Sequence, residues 1–188
     1  MKTGRRGWLF GMVPSVAEVV VEAVEERLIP PPARPRRRPP GAVAEASFLA
    51  LCTRCDACVD ACPHDAIFTY VKTAGELART PVMKPERRAC PMCEGFPCAA
   101  ACEPRALVVP RTRTVRLGTV RIVEDRCFTF LGPECGACGG LCPTAKPAIR
   151  FIGSQPRVVV EECVGCGLCI EACPTLPAAI EILPLVED

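Results

Sequence analysis

The chain has 188 residues, a formal charge of +2 from 23 Lys and Arg against 21 Asp and Glu, and only one Trp, one Tyr and seven Phe. That length allows one medium domain or two small ones, and so few rings exclude a core built on aromatic packing. Sixteen cysteines are the compositional outlier, and any reading must account for them.

In chain order, Arg5-Arg6 followed by Gly7-Trp8-Leu9-Phe10 resembles a twin-arginine export leader. Pro14, Glu18 and Glu22 interrupt the apolar run that such a leader needs. Ser15-Val16-Ala17-Glu18 reads instead as a capping box. Val16, Val19, Val20, Ala23, Val24 and Leu28 then recur at helical spacing, so an amphipathic helix is expected over 15–28. Pro30-Pro31-Pro32 ends it, and a proline–arginine linker with Arg34, Arg36, Arg37 and Arg38 runs to Gly41. Residues 15–38 thus offer a docking helix and a basic strip for peripheral membrane contact. No run reaches the ~18 apolar residues of a span. The expected location is cytoplasmic, at most peripheral to a membrane, with periplasmic export through Arg5-Arg6 as the alternative.

The cysteines fall in four groups of four, at Cys52/Cys55/Cys58/Cys62, Cys90/Cys93/Cys98/Cys102, Cys127/Cys135/Cys138/Cys142 and Cys163/Cys166/Cys169/Cys173. Disulfide frameworks have no reason to count in fours at C-x-x-C spacing. Structural zinc uses two C-x-x-C pairs across a longer loop, whereas the first and fourth groups read C-x2-C-x2-C-x3-C-P. That is the bacterial spacing for a 4Fe–4S cluster, in which the fourth cysteine ligates a second cluster. Gly165 and Gly167 supply the backbone freedom to curl three thiolates around one cube. The second group widens one gap to x4, and the third opens x7 between Cys127 and Cys135. The single histidine, His64, reads as a solvent-facing loop residue, and no C-x-x-C-H for haem occurs. Sixteen thiolates holding four oxidised cubes would move the charge to about −6, so no nucleic-acid partner is indicated.

The groups recur with a period of about 37 residues, each followed by an apolar pair: Ala66-Ile67, Ala106-Leu107, Ala148-Ile149 and Ala179-Ile180. Strand-like runs, Val120–Val123 and Val158–Val160, precede the third and fourth groups. The expected fold class is α+β: two ferredoxin-like dicluster lobes of βαβ pseudo-repeats plus the N-terminal helix. Like spacing in the outer groups favours a nested pairing, with residues 1–41 as helix and linker, an outer lobe of 42–75 with 155–188, and an inner lobe of 76–154. Cys52, Cys55 and Cys58 would then share a cube with Cys173; Cys163, Cys166 and Cys169 with Cys62; Cys90, Cys93 and Cys98 with Cys142; Cys127, Cys135 and Cys138 with Cys102. Sequential pairing, one with two and three with four, is the alternative.

Residues 39–185 resemble the ferredoxin-type proteins of periplasmic nitrate reductase systems (NapG and NapF) and the methylamine-utilisation ferredoxin MauM. Arg38-Pro39-Pro40-Gly41-Ala42, Cys90-Pro91-Met92-Cys93-Glu94-Gly95-Phe96-Pro97-Cys98, the gap after Cys127 and Ala179-Ile180-Glu181-Ile182-Leu183-Pro184-Leu185 look NapG-like. Phe48-Leu49-Ala50-Leu51-Cys52-Thr53-Arg54-Cys55-Asp56-Ala57-Cys58 and Arg5-Arg6-Gly7 look closer to NapF. The resemblance implies four 4Fe–4S clusters and a redox partner, a molybdenum enzyme or a quinol-oxidising membrane subunit. The chain departs from NapG in its weaker leader. With all sixteen cysteines committed as ligands, the expected function is electron transfer, not catalysis. An accessory or maturation factor for a molybdoenzyme, or a fixed subunit of a respiratory complex, are the alternatives. Arg54, Asp56, Asp60, Glu94 and Glu171 lie beside ligands, where charge would tune a cluster's potential.

Overall fold

The computed structural model describes residues 36–183. The helix expected over 15–28, the Arg5-Arg6 leader and the linker up to residue 35 lie outside the described residues.

The regular elements are short because turns and ligand loops consume most of each repeat. Helix α1 (Glu45–Leu51) forms from good helix formers with Glu45 in its first turn, and it buries Phe48 completely. Helices α2 (Ala57–Asp60) and α3 (Pro97–Ala100) are single turns; Pro97 at the start of α3 suits its fixed φ. Strand β1 (Ile67–Thr69) pairs antiparallel with β2 (Pro81–Met83). Strand β3 (Thr119–Ile122) leads to α4 (Phe128–Leu131), which occupies the gap between Cys127 and Cys135. Strands β4 (Ile149–Ile152) and β5 (Gln155–Val158) form a hairpin over Gly153-Ser154. A third single turn, α5 (Leu168–Glu171), precedes β6 (Ile180–Leu183), which pairs antiparallel with β3.

Two lobes of consecutive repeats result, and the nested arrangement expected from spacing is corrected. In the second lobe, β4 and β5 join the end of repeat three to the start of repeat four, while β3 and β6 close the outside. The first lobe repeats this plan with β1 and β2 inside. Outside, the equivalent pair is reduced to the Ala42–Leu107 bridge, with Val43 N–H donating to Ala106 O (3.1 Å) and Val108 N–H to Gly41 O (2.8 Å). Short connections favour pairing between chain neighbours, and the two-residue loop at Gly153-Ser154 fixes it. Like spacing in groups one and four carries no such constraint. A second correction concerns Val158–Val160: the strand spans Gln155–Val158, although Val159 N–H still reaches Ala148 O at 2.8 Å.

The apolar pair after each fourth cysteine is buried in every repeat, with Ala66, Ala106, Ala148 and Ala179 at 1–2% exposure. These pairs and six buried cysteines make up most of the core; of the aromatics, Phe48 and Phe96 are buried in it.

Arg38 ties the incoming chain to the first lobe. Its guanidinium donates to both Glu45 carboxylate oxygens (2.9 and 2.7 Å), to Thr80 Oγ1 (2.9 Å) and to Pro81 O (2.6 Å). It also lies 4.5 Å from the Phe48 ring centre. The Arg38 hydrogen bond holds the Glu45 carboxyl below its ordinary range. A lowered carboxylate pKa contributes stability that is complete above the unfolded value near 4.3 and is lost as pH falls through the folded one. Arg38→Ala is therefore expected to cost about 3 kcal/mol at neutral pH, since it strands buried acceptors and half-buried charge. The gap to the parent should narrow only below about pH 4. Anaerobic urea unfolding at pH 7 and pH 4 measures both.

Candidate metal centres

Each of the four cysteine groups wraps a cavity, and each cavity is completed by a cysteine from the neighbouring repeat. Cys52, Cys55 and Cys58 line the first with Cys102, around an open volume of about 380 Å³. Cys90, Cys93 and Cys98 line the second with Cys62, about 330 Å³. Cys127, Cys135 and Cys138 line the third with Cys173, about 330 Å³. Cys163, Cys166 and Cys169 line the fourth with Cys142, about 350 Å³. The expected triads are thus brought together, while every fourth partner differs from the nested expectation. Cys102 replaces Cys173, Cys142 replaces Cys62, Cys62 replaces Cys142 and Cys173 replaces Cys102. The physical reason is the strand pairing, which sets each repeat face to face with its chain neighbour.

Backbone shape makes the cradles. Residues two after the first cysteine, Arg54, Met92 and Gly165, all have left-handed φ of 59–66°. Those two before the third cysteine, Asp56, Phe96 and Gly167, do the same at 44–87°. Glycine meets this freely, but Arg54, Asp56, Met92 and Phe96 each bear about 1–2 kcal/mol of strain for it. Strain repeated at equivalent positions marks a shape demanded by the site. It turns N–H groups toward sulfur: Ala57 N–H bonds Cys55, Met92 N–H bonds Cys90 and Leu168 N–H bonds Cys166. The third group, with its longer gap, places its left-handed residues at Gly132 and Gly140 instead.

The fourth cysteines share one more feature. Cys62, Cys102, Cys142 and Cys173 each accept a backbone N–H at Sγ, from Ala66 (3.4 Å), Leu107, Ala148 and Ala179 (3.3 Å each). The donors belong to the buried apolar pairs, so packing of those pairs aims the N–H at the sulfur.

The donor set fits a polynuclear sulfide cluster. All the ligands are thiols, as iron–sulfur cubes require, and four cavities of similar size imply one kind of occupant. Among the described residues, no three of His, Cys, Asp and Glu converge as closely as a single ion demands. Burial, with Cys102 and Cys52 nearby, pushes the Cys58 thiol up to about 12. Burial beside Cys166 and Cys163 does the same for Cys169, also to about 12. Burial raises Cys90, Cys98, Cys138 and Cys166 to about 11. Such crowded sulfurs become thiolates together only against concentrated positive charge, which iron supplies. Cys55, at the surface, moves the other way: bonds from Ala57 N–H and Thr53 lower its pKa.

Of the charged residues expected beside the ligands, Arg54 and Glu171 have built roles. Arg54 donates to the carbonyls of Cys52 (3.2 Å), Ala78 (3.1 Å) and Glu76 (3.1 Å), which braces the first loop against the turn after β1. Asp56 pairs with Arg79 at the same rim. Glu171 binds Arg88 and the Ala89 N–H. Asp60 and Glu94 are exposed, as is His64. Sequence reasoning missed Arg38 as an anchor and the sulfur-directed N–H groups. Arg38 looked like one of four linker arginines, and backbone donors leave no residue signature.

Residues 119–174 match the family model for a 4Fe-4S dicluster domain, and residues 49–68 match that for a 4Fe-4S binding domain. The dicluster match spans repeats three and four together, in agreement with the lobe seen here. The chain is 33% identical to the ferredoxin-type protein NapG of Escherichia coli, covering 98% of this chain and 87% of the relative. It is 36% identical to the methylamine utilization ferredoxin-type protein MauM of Methylorubrum extorquens (78% and 72%), and 34% identical to Escherichia coli NapF (78% and 85%). Matched along its length and built around thiol cradles of this form, the chain belongs to the NapG/MauM/NapF family of ferredoxin-type 4Fe–4S proteins.

Proposed function

We propose that this protein transfers electrons, carries four 4Fe–4S clusters on its sixteen cysteines, and passes single electrons between redox partners of a respiratory chain of the nitrate-reductase kind. The observation that carries the count of four is that all sixteen cysteines line four equivalent cavities, with none left over. Each cube, when bound, takes up and returns one electron. The chain's own residues do the rest. Cys52, Cys55, Cys58 and Cys102 would hold one cube; Cys62, Cys90, Cys93 and Cys98 a second; Cys127, Cys135, Cys138 and Cys173 a third; Cys142, Cys163, Cys166 and Cys169 the fourth. The N–H groups of Ala57, Met92, Leu168, Ala66, Leu107, Ala148 and Ala179 stabilise negative charge on sulfur, which raises the potential. Burial of Cys163, Cys166 and Cys169 works against added negative charge and lowers it.

The kinship with NapG, NapF and MauM supports a partner in such a system, a molybdenum enzyme or a quinol-oxidising subunit. No helix of the described residues is long and apolar enough to cross a membrane. A second reading, a fixed iron–sulfur subunit of a larger complex, is favoured by apolar side chains on the second lobe. Leu131 is 60%, Ile152 71% and Leu176 97% exposed.

Anaerobic iron and sulfide analysis tests the count, with about sixteen irons expected per chain. An iron-poor, colourless and still folded protein would refute the reading. Paired substitutions test the ligand sets. Cys55→Ala and Cys102→Ala are each expected to remove about a quarter of the iron, and their combination no more than that, because both strike one cube. Cys55→Ala with Cys173→Ala should remove about half. The opposite result would restore the nested sets.

A further inference from the structure

We infer that the four cysteine sets stand in a single row, with the sets of Cys90 and Cys166 in the middle, locked together across the lobe boundary, and the sets of Cys55 and Cys135 at the two ends. The inference rests on the reading of the cavities as cube sites, but concerns how this chain's own residues order them.

Within the first lobe the order follows from two single-turn helices. Cys58 on α2 belongs to the first set, and Cys62, one turn further on, to the second. Cys98 on α3 belongs to the second set, and Cys102, one turn on, to the first. Each helix and the turn that follows it therefore line both sites, so the two sites are neighbours. The second lobe has the same plan. Cys169 on α5 belongs to the fourth set and Cys173 to the third, while Cys138 and Cys142 reverse the order on the opposing turn.

The lobes meet at one pair of sets. Cys90 N–H donates to Cys166 O at 2.8 Å, so a ligand of the second set is bonded by its backbone to a ligand of the fourth. Glu171, on α5, accepts from Ala89 N–H (3.2 Å) and from Arg88 (3.1 Å), immediately before Cys90. The fit is close. A Cβ at Gly167 would lie 2.6 Å from Pro85 O of the first lobe, so the fourth cradle packs flush against it. Cys166 is buried in the same apolar cluster as Cys90 and Cys98. Cys55 at one end is exposed, whereas Cys90 and Cys166 at the centre are buried. The row thus has a sealed middle and an open end.

Electron paramagnetic resonance of the anaerobically reduced, full-length holoprotein tests the order, because magnetic coupling between reduced cubes falls steeply with distance. Cys55→Ala with Cys135→Ala leaves the two central sites, and their signals are expected to remain split and fast-relaxing. Cys93→Ala with Cys163→Ala leaves the two terminal sites, and the splitting should be lost. Coupled terminal sites, or uncoupled central ones, would overturn the row. Should either variant fail to retain its clusters, hydrogen exchange of the unaltered holoprotein decides: slow exchange at Cys90 N–H is expected, and free exchange there would overturn the junction. Iron analysis of the parent protein keeps the two readings apart. A deficit of iron sinks the cube reading, while full iron with the wrong coupling sinks only the order.

Discussion

Everything in this structure follows from the need to point sixteen sulfurs inward while keeping the chain around them closed to water. Ten of the thiols are only partly exposed or at the surface, yet burial raises Cys58 and Cys169 to about 12 and Cys90, Cys98, Cys138 and Cys166 to about 11, with other sulfurs among the causes. A core of this kind repels itself as soon as its members ionise together. The strands are three or four residues long and most helices a single turn, so secondary structure contributes little independent strength. Clusters bound in the four cavities would supply the missing cohesion, as metals do in other domains too small to bury a sufficient apolar core.

The exchange of fourth cysteines ties the two repeats of each lobe together. Cys62 leaves its own repeat to complete the cavity of the second, and Cys102 returns the favour. Loss of a cube from one cavity would thereby free a cysteine one turn from a cysteine of the other. The N–H groups of Ala66, Leu107, Ala148 and Ala179 extend this coupling to the apolar core, because each donor to a fourth sulfur lies in a buried pair. Packing, ligation and charge stabilisation thus act through the same few residues.

The grouping of each triad around one cavity was legible in the sequence because its three cysteines lie within a single short loop or, in the third group, one loop and a turn. The buried pairs were legible for the same reason, as they recur at a fixed place after each fourth cysteine. Pairing was not, since likeness of motif is not contact. The alternatives were decided by the Gly153-Ser154 hairpin and the β1–β2 pairing, neither of which involves a cysteine. The left-handed residues were half legible. Gly165 and Gly167 announce themselves, but Arg54, Asp56, Met92 and Phe96 take the same conformation against their own preference. Arg54 recovers part of that cost through three carbonyl bonds.

The irregular second and third motifs show what the cavities demand of a chain and what they leave free. Two extra residues in the second motif emerge at Glu94 and Gly95, both exposed, while Phe96 keeps the left-handed turn before Cys98. The third motif spends its longer gap on α4, whose Phe128 lines the cavity between Cys127 and Cys135. In both, the sulfurs reach the same kind of cavity by a different path. Site geometry therefore fixes where ligands end and tolerates how the backbone travels between them. For that reason the first and fourth motifs can share one spacing while Cys55 stands exposed at the surface and Cys166 is sealed against the neighbouring lobe.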